Sequence, residues 1–282
     1  MDIGIVFGGG FARGAAQLGF LRGMLPFLNR SDLKLLSCSS SGALTGLALS
    51  ADRLDYGEQI YRHTNITSIS NLRLNLKNKL VDQVIDSLIK GGRVDIPLYV
   101  TGTCLNTLST HYFYLDSSKP KEELYEAMNI TLTFPFVNGV FRRYGKKFYL
   151  DGGATDNIPV YPFLIKHVDL LLILHNYPRY LPPAEIVNSD TVVIDIDVGT
   201  RCGNSIKTYS FDLRNINRML DISYDYGREF GQKVLSQPTL SKIKEAGQRW
   251  IRDEIEERKK SNISITAAIF FNKLQQSRGF KI

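Results

Sequence analysis

Two stretches, VDLLLILH (Val168–His175) and TVVIDIDV (Thr191–Val198), are apolar over most of the length of a β-strand, with Asp169, Asp195 and Asp197 as the acidic exceptions. A strand with one wet face alternates, so runs of this kind are buried on both faces and belong in a central sheet covered by helices. The N-terminal segments fit that frame. IGIVF (Ile3–Phe7) meets a glycine loop, and GAAQLGFLRGMLPFL then carries apolar residues at helical spacing until Pro26 and Asn29 end it. LKLLSC leads in the same way into SSSGALTGLALSADRL, a second strand, turn and closely packed helix.

Further along, LVDQVIDSLI reads as an amphipathic helix, IPLYVTGTCLN and THYFYLD as a strand pair, and KEELYEAM as a short helix. KKFYLDGG reads as a strand ending in a glycine turn. From Asn204 to about Lys260 the pattern is mostly helical, with Pro238 as a break. Neither an internal repeat nor a long linker divides the chain. The expectation is one α/β domain over residues 1–282, with a core over about 1–200 and a helical C-terminal region over about 204–282.

Composition narrows the function classes. With 43% hydrophobic residues in 282, disorder is not expected and a full core is within reach. The charge is +7 and the pI about 9.2, a balance that suits anionic surfaces such as lipid headgroups or nucleic acid. The basic residues are spread along the chain without a Lys/Arg block, and a nucleic-acid partner is not expected. Cys38, Cys104 and Cys202 form no CxxC pair, so neither a disulfide framework nor a metal site is expected, and a reducing compartment fits. With a strand-like run starting at Ile3, no secretory leader is expected, and no apolar run nears the ~18 residues of a membrane span. The expected location is cytoplasmic. IRDEIEERKK (Ile251–Lys260) carries mixed charges at helical spacing and reads as a solvated helix face.

Three short stretches carry chemistry. In SCSSSGALTG (Ser37–Gly46) an apolar strand runs into small residues and a helix, the setting in which a sharp turn lifts a serine Oγ out of the backbone. The elbow pattern GxSxG selects Ser40, because Gly42 follows it by two places and small Cys38 precedes it by two. GGGFARG (Gly8–Gly14) lies between strand and helix, where backbone N–H groups converge on a phosphate or on an oxyanion. A dinucleotide site is disfavoured: Gly8 and Gly10 would require glycine at Arg13, Asp32 begins the next strand instead of ending it, and no phosphate-loop Lys-Ser or Lys-Thr follows. YLDGGATDNIPV (Tyr149–Val160) places Asp151 at the end of a strand, either at a catalytic sheet edge or in an Asp-Gly hairpin turn.

Taken in order, GGGFARG, the serine elbow and DGGxxxNxPV resemble the patatin-like phospholipase family, with weaker likeness in TGTCLNTLSTHYF and TLTFPFVNGVFRRYGKKFYLDGG. The resemblance runs from about Ile3 to Pro162. It implies a three-layer α/β/α fold with a mainly parallel sheet, and a lipid acyl hydrolase working through a Ser-Asp dyad without histidine, cofactor or metal. It assigns Ser40 as nucleophile, Asp151 as general base, and Gly9, Gly10 and Phe11 as the oxyanion hole. Gly8, Arg13, Gly14, Cys38, Gly42, Gly152 and Gly153 support the site, and Asn157 and Pro159 are positional. Phe11 stands where the family has its third glycine, and Cys38 where the elbow has its first. His63, His111, His167 and His175 are expected in structural or surface roles. The implied partner is a lipid, at a membrane surface where one is available. A second reading is a weak or inactive relative that binds acyl lipids or membrane surfaces.

Overall fold

β1 (Ile3–Phe7) is paired in parallel on both edges, with β2 (Leu33–Cys38) on one side and β7 (Leu170–His175) on the other. In this computed structural model, residues 1–63, 80–90, 94–134, 141–178, 180–202 and 211–260 are described. β8 (Val192–Asp197) continues the parallel set beyond β7, and β3 (Leu98–Cys104) continues it beyond β2. β4 (Ser109–Leu115) and β6 (Lys147–Asp151) pair antiparallel with β3, and β5 (Arg142–Tyr144) pairs antiparallel with β6. The eight described strands form one sheet in the order β5-β6-β3-β2-β1-β7-β8, with β4 on β3 outside that path.

The apolar strands are buried on both faces because alternate residues enter two separate cores. Ile3, Ile5 and Phe7 of β1 and Leu170, Leu172 and Leu174 of β7 point into the larger core. Val6, Leu171 and Ile173 point into the smaller one. The larger core is roofed by long helices: α1 (Gly14–Met24), α2 (Ser41–Ser50), α3 (Leu54–His63), α4 (Leu80–Ile89) and α5 (Lys121–Thr131), joined by α6 (Leu213–Phe230) and α7 (Leu240–Lys260). The smaller core is closed by residues 158–168 and by the single helical turns Pro162–Ile165 and Ala184–Val187. The result is the expected three-layer α/β/α arrangement with a mostly parallel sheet, its second helical layer thin. No described helix is long and apolar enough to cross a membrane.

The C-terminal helices fold back on this core. α6 buries Ile216, Met219, Leu220, Tyr226 and Phe230 at helical spacing, and Asp212 caps it by accepting from the Arg214 and Asn215 N–H groups. A one-turn π-helix (Gly231–Leu235) ends α6, and the chain restarts as α7 after Pro238, where a break was expected. The stretch expected to be a solvated face is partly anchored: Glu254 is buried and accepts from Arg201 at 2.5 Å. The expected helix before α6 and the last residues of the chain lie outside the described residues.

α1 and α6 meet backbone to backbone. A Cβ at Gly227 would lie 2.0 Å from the Phe20 carbonyl oxygen, and one at Gly23 would lie 2.1 Å from that of Tyr224. A methyl group has no room there, so Gly227→Ala must push the helices apart. It is expected to lower stability by about 1–3 kcal/mol, the usual cost of overpacking, read as a lower urea midpoint with unchanged slope. An unchanged midpoint would mean that α6 is only loosely docked.

Candidate functional site

β2 ends at Cys38 and the chain turns sharply into α2. Ser40 sits at the turn with φ +52° and ψ −131°, a left-handed backbone that non-glycine residues rarely take. Its N–H donates to Thr131 Oγ1 at 2.9 Å, the last residue of α5. The Gly42 and Ala43 N–H groups donate to the Ser39 and Ser40 carbonyls at 2.9 Å each and start the helix. Gly42 is required by proximity: a Cβ there would lie 2.3 Å from the Phe7 carbonyl oxygen. Cys38, at the first elbow position, is fully buried, its thiol pKa pushed up by that burial. Its Sγ occupies space that a side chain at Gly46 would need, 2.3 Å from a Cβ built there. The room that a glycine at position 38 would have provided is supplied eight residues later, inside α2.

Asp151 reaches the elbow from the opposite direction. β4 takes one edge of β3 along its whole length. The other edge is divided: β2 pairs with Leu98–Val100, and β6 pairs with Gly102–Cys104, running the other way. β2 and β6 therefore meet nearly end to end, and Asp151, the last paired residue of β6, faces the turn that follows Cys38, the last paired residue of β2. Ser40 Oγ donates to Asp151 Oδ2 at 2.7 Å. The second carboxylate oxygen accepts from the Gly153 N–H at 2.7 Å. The Asp151 backbone is fixed by Thr133 O, which accepts its N–H at 2.8 Å, and by Thr103 Oγ1, which donates to its carbonyl at 2.9 Å. Burial pushes the carboxyl up to about 7, against the lowering effect of the Ser40 and Gly153 hydrogen bonds. The hairpin-turn alternative is absent: Asp151 leads into a 3-10 turn, Gly152–Ala154, with Gly152 packed on Thr101.

The glycine loop crosses over the elbow. A Cβ at Gly9 would lie 2.8 Å from Ser40 Cβ, so this backbone touches the serine directly. The Gly8 N–H donates to Leu174 O at 2.9 Å, that of Gly9 to Asn157 O at 3.0 Å, and that of Gly10 to Ser41 Oγ at 3.0 Å. Asn157 returns a long bond from Nδ2 to Gly9 O, 3.4 Å, tying this loop to the Asp151 loop. Phe11 has φ +51° and lays its ring edge-on to Phe134, centroids 4.3 Å apart. Arg13 closes the 3-10 turn Phe11–Arg13, and its guanidinium pairs with no acid among the described residues. Gly14 opens α1 beside Ser41 and Tyr61. The Ser41 N–H, at the N-terminus of α2, has no acceptor among the described residues.

Thr131, Ser41, Thr101, Thr103 and Thr133 thus belong to the site, although the stretches that contain them gave none of them a role. A further one is Asp156, buried beside the loop, which accepts from the Tyr112 hydroxyl; burial raises its carboxyl to about 6. No histidine bonds to Ser40 or Asp151 among the described residues. His175 is buried at the end of β7, where Nδ1 accepts from the Tyr177 N–H at 3.2 Å. His63 lies against Gln59 O, His111 against Phe113 and Tyr149, and His167 near Thr191. No cluster of His, Cys, Asp and Glu that could hold a metal occurs among the described residues.

The raised Asp151 pKa has a signed effect on stability. A carboxyl at about 7 when folded and 3.8 ordinarily keeps, in the folded state, a proton that the unfolded state releases. Its contribution is full below pH ~4 and is lost as pH rises through about 7. Asp151→Asn removes this dependence while Asp156 remains, so the variant is expected to gain in Tm on the parent between pH 4 and 7 and to hold that gain above. Equal pH dependence in calorimetry of the two proteins would mean that Asp151 is ordinarily acidic.

Among known proteins, a family model described as "Patatin-like phospholipase" matches residues 50–164. No curated protein matches the chain. Among solved structures, VipD from Legionella pneumophila is 11% identical with a TM-score of 0.40, covering 93% of this chain and 76% of that one. The likeness to patatin-like phospholipases read from the motifs is borne out by the family match, which takes in Asp151 and begins after Ser40.

Proposed function

We propose that the protein is a lipid acyl hydrolase in which Ser40 is the nucleophile and Asp151 the general base. One observation carries this: a strained elbow serine donates a 2.7 Å hydrogen bond to a buried carboxylate with no other side chain between them. The family match supports the substrate class. In the reaction Asp151 takes the Ser40 proton as Oγ attacks the ester carbonyl. The tetrahedral intermediate collapses, and Asp151 returns the proton to the departing alcohol. Water then attacks the acyl-enzyme with Asp151 again as base, releasing the fatty acid and restoring Ser40.

The developing oxyanion needs donors already in place. The Gly10 N–H now rests on a hydroxyl that can rotate away, and the Ser41 N–H sits at a helix N-terminus beside the nucleophile. These two amides are the readiest donors. Gly9 keeps its bond to Asn157 and serves by holding the loop over Ser40, and Phe11 sets the loop's outer wall through Phe134. The departure at Cys38 does not favour an inactive binding protein, because Gly46 accommodates it.

A fluorophosphonate is expected to attach to Ser40 and not to Ser39 or Ser41, as peptide mapping would show. Ser40→Ala and Asp151→Asn should each lower kcat/KM on acyl esters by two or more orders of magnitude. Because the base must be ionised, kcat/KM should rise with pH through about 7 and level off above it. An adduct on a neighbouring serine, or hydrolysis surviving in Ser40→Ala, would overturn the assignment. A folded parent that neither labels nor hydrolyses would favour the acyl-binding alternative.

A further inference from the structure

We propose that the β5–β6 hairpin together with the β3–β4 turn is the surface by which this protein docks on anionic lipid bilayers. The proposal deepens, and rests on, the reading of the site as a lipid acyl hydrolase. The hairpin reads FRRYGKKF, Phe141–Phe148, and the turn region reads LNTLSTH, Leu105–His111. Neither contains an acidic residue. Phe141 and Phe148 are 50% and 37% exposed, with rings 5.0 Å apart, and Leu108 at the tip of the turn is 76% exposed. Large apolar side chains held out in water and packed on one another are a patch awaiting a cover.

The two tips form one surface because they are bonded together. The Phe148 N–H donates to Asn106 Oδ1 at 2.8 Å, and the Leu105 N–H donates to Phe148 O at 2.8 Å. Around the apolar residues stand Arg143, Lys146 and Lys147, all exposed, with Arg142 half-buried behind them. None of the four pairs with an acid among the described residues, in contrast to several basic side chains elsewhere. Arg22 holds Asp55 and Glu58, Arg62 holds Glu58 and Asp221, and Lys121 holds Asp86. Unmatched cations ringing exposed aromatic and aliphatic side chains complement an interface that is anionic outside and apolar within. Exposed aliphatic bulk beside the charge favours a bilayer over nucleic acid.

Position links this surface to the site. β6 runs from the hairpin to Asp151, so Phe148 lies about 10 Å from Asp151 at ~3.3 Å per residue. Both tips extend past the end of β2, on the edge of the sheet where Ser40 sits. A bilayer touching the tips would face the catalytic pair.

The test uses Ser40→Ala protein, which binds without turnover, sedimented with vesicles of phosphatidylcholine alone or mixed with phosphatidylserine, at low and high salt. Tight, salt-sensitive binding to the mixed vesicles is expected. Replacing Arg143, Lys146 and Lys147 by Gln should weaken it about 100-fold, taking roughly fivefold for each cation. Removing the same charge from α7 as Lys242, Lys244 and Arg249→Gln should change it far less. Leu108→Ser with Phe141→Ser should weaken binding to both vesicle types, and retained Tm values would show that the variants fold. Equal loss from the two triple variants, indifference to lipid charge and salt, or oligonucleotide binding through the hairpin without vesicle binding would each overturn the proposal. Fluorophosphonate labelling of the Ser40 parent separates the two readings. Labelling without vesicle binding sinks the docking surface alone, and vesicle binding without labelling sinks the hydrolase reading.

Discussion

The site depends on the mismatch in length between β2 and β3. β2 stops pairing at Val100, and the backbone groups of β3 beyond it cannot stay unpaired beneath the loops. β6 supplies their partners by entering from the opposite end of the same edge. Because two strands share one edge head to head, the end of one is forced against the turn that follows the other. Asp151 ends β6, and the elbow serine stands two residues beyond the end of β2. The hydrogen bond between them is a consequence of ladder register, and the side chains need no long reach to make it.

Bringing these ends together is costly, and the surrounding bonds offset the cost. Ser40 and Phe11 both take left-handed backbone near φ +50°, and Asp151 loses its water. Thr131 holds the Ser40 amide, Thr103 and Thr133 hold both sides of the Asp151 backbone, and Asn157 holds the glycine loop. Each bond joins elements far apart in sequence, so the site closes only when α5, β3, β6 and the N-terminal loop are all in place.

That dependence explains what the sequence made legible and what it hid. β1, β2 and β7 were readable because burial on both faces leaves an apolar run, and Ser40 and Asp151 because turn chemistry leaves small residues at fixed offsets. The antiparallel direction of β6 left no mark, since a strand's composition is the same whichever way it runs. Thr131, Thr103 and Ser41 are single polar residues whose roles arise from register between distant segments. Gly46 was silent for a related reason: the space it leaves is used by Cys38, eight places earlier. Gly23 and Gly227 looked like ordinary helix residues, and only the crossing of α1 on α6 gives them a purpose.

In the proposed reaction, the absence of histidine makes burial the source of base strength. An exposed carboxylate near 4 would hold the serine proton too weakly, while one near 7 is both a better acceptor and still half ionised at neutral pH. Base strength and desolvation are then one quantity. Any change that lets water reach Asp151, such as loosening the Gly152–Asn157 loop where Asp156 accepts from Tyr112, lowers its pKa. The loosened protein would keep its base ionised at lower pH and at the same time make it a poorer base. Packing on the second face of the sheet, where Tyr112 and residues 158–168 lie, therefore bears on catalysis through the hydration of a carboxylate that it does not touch.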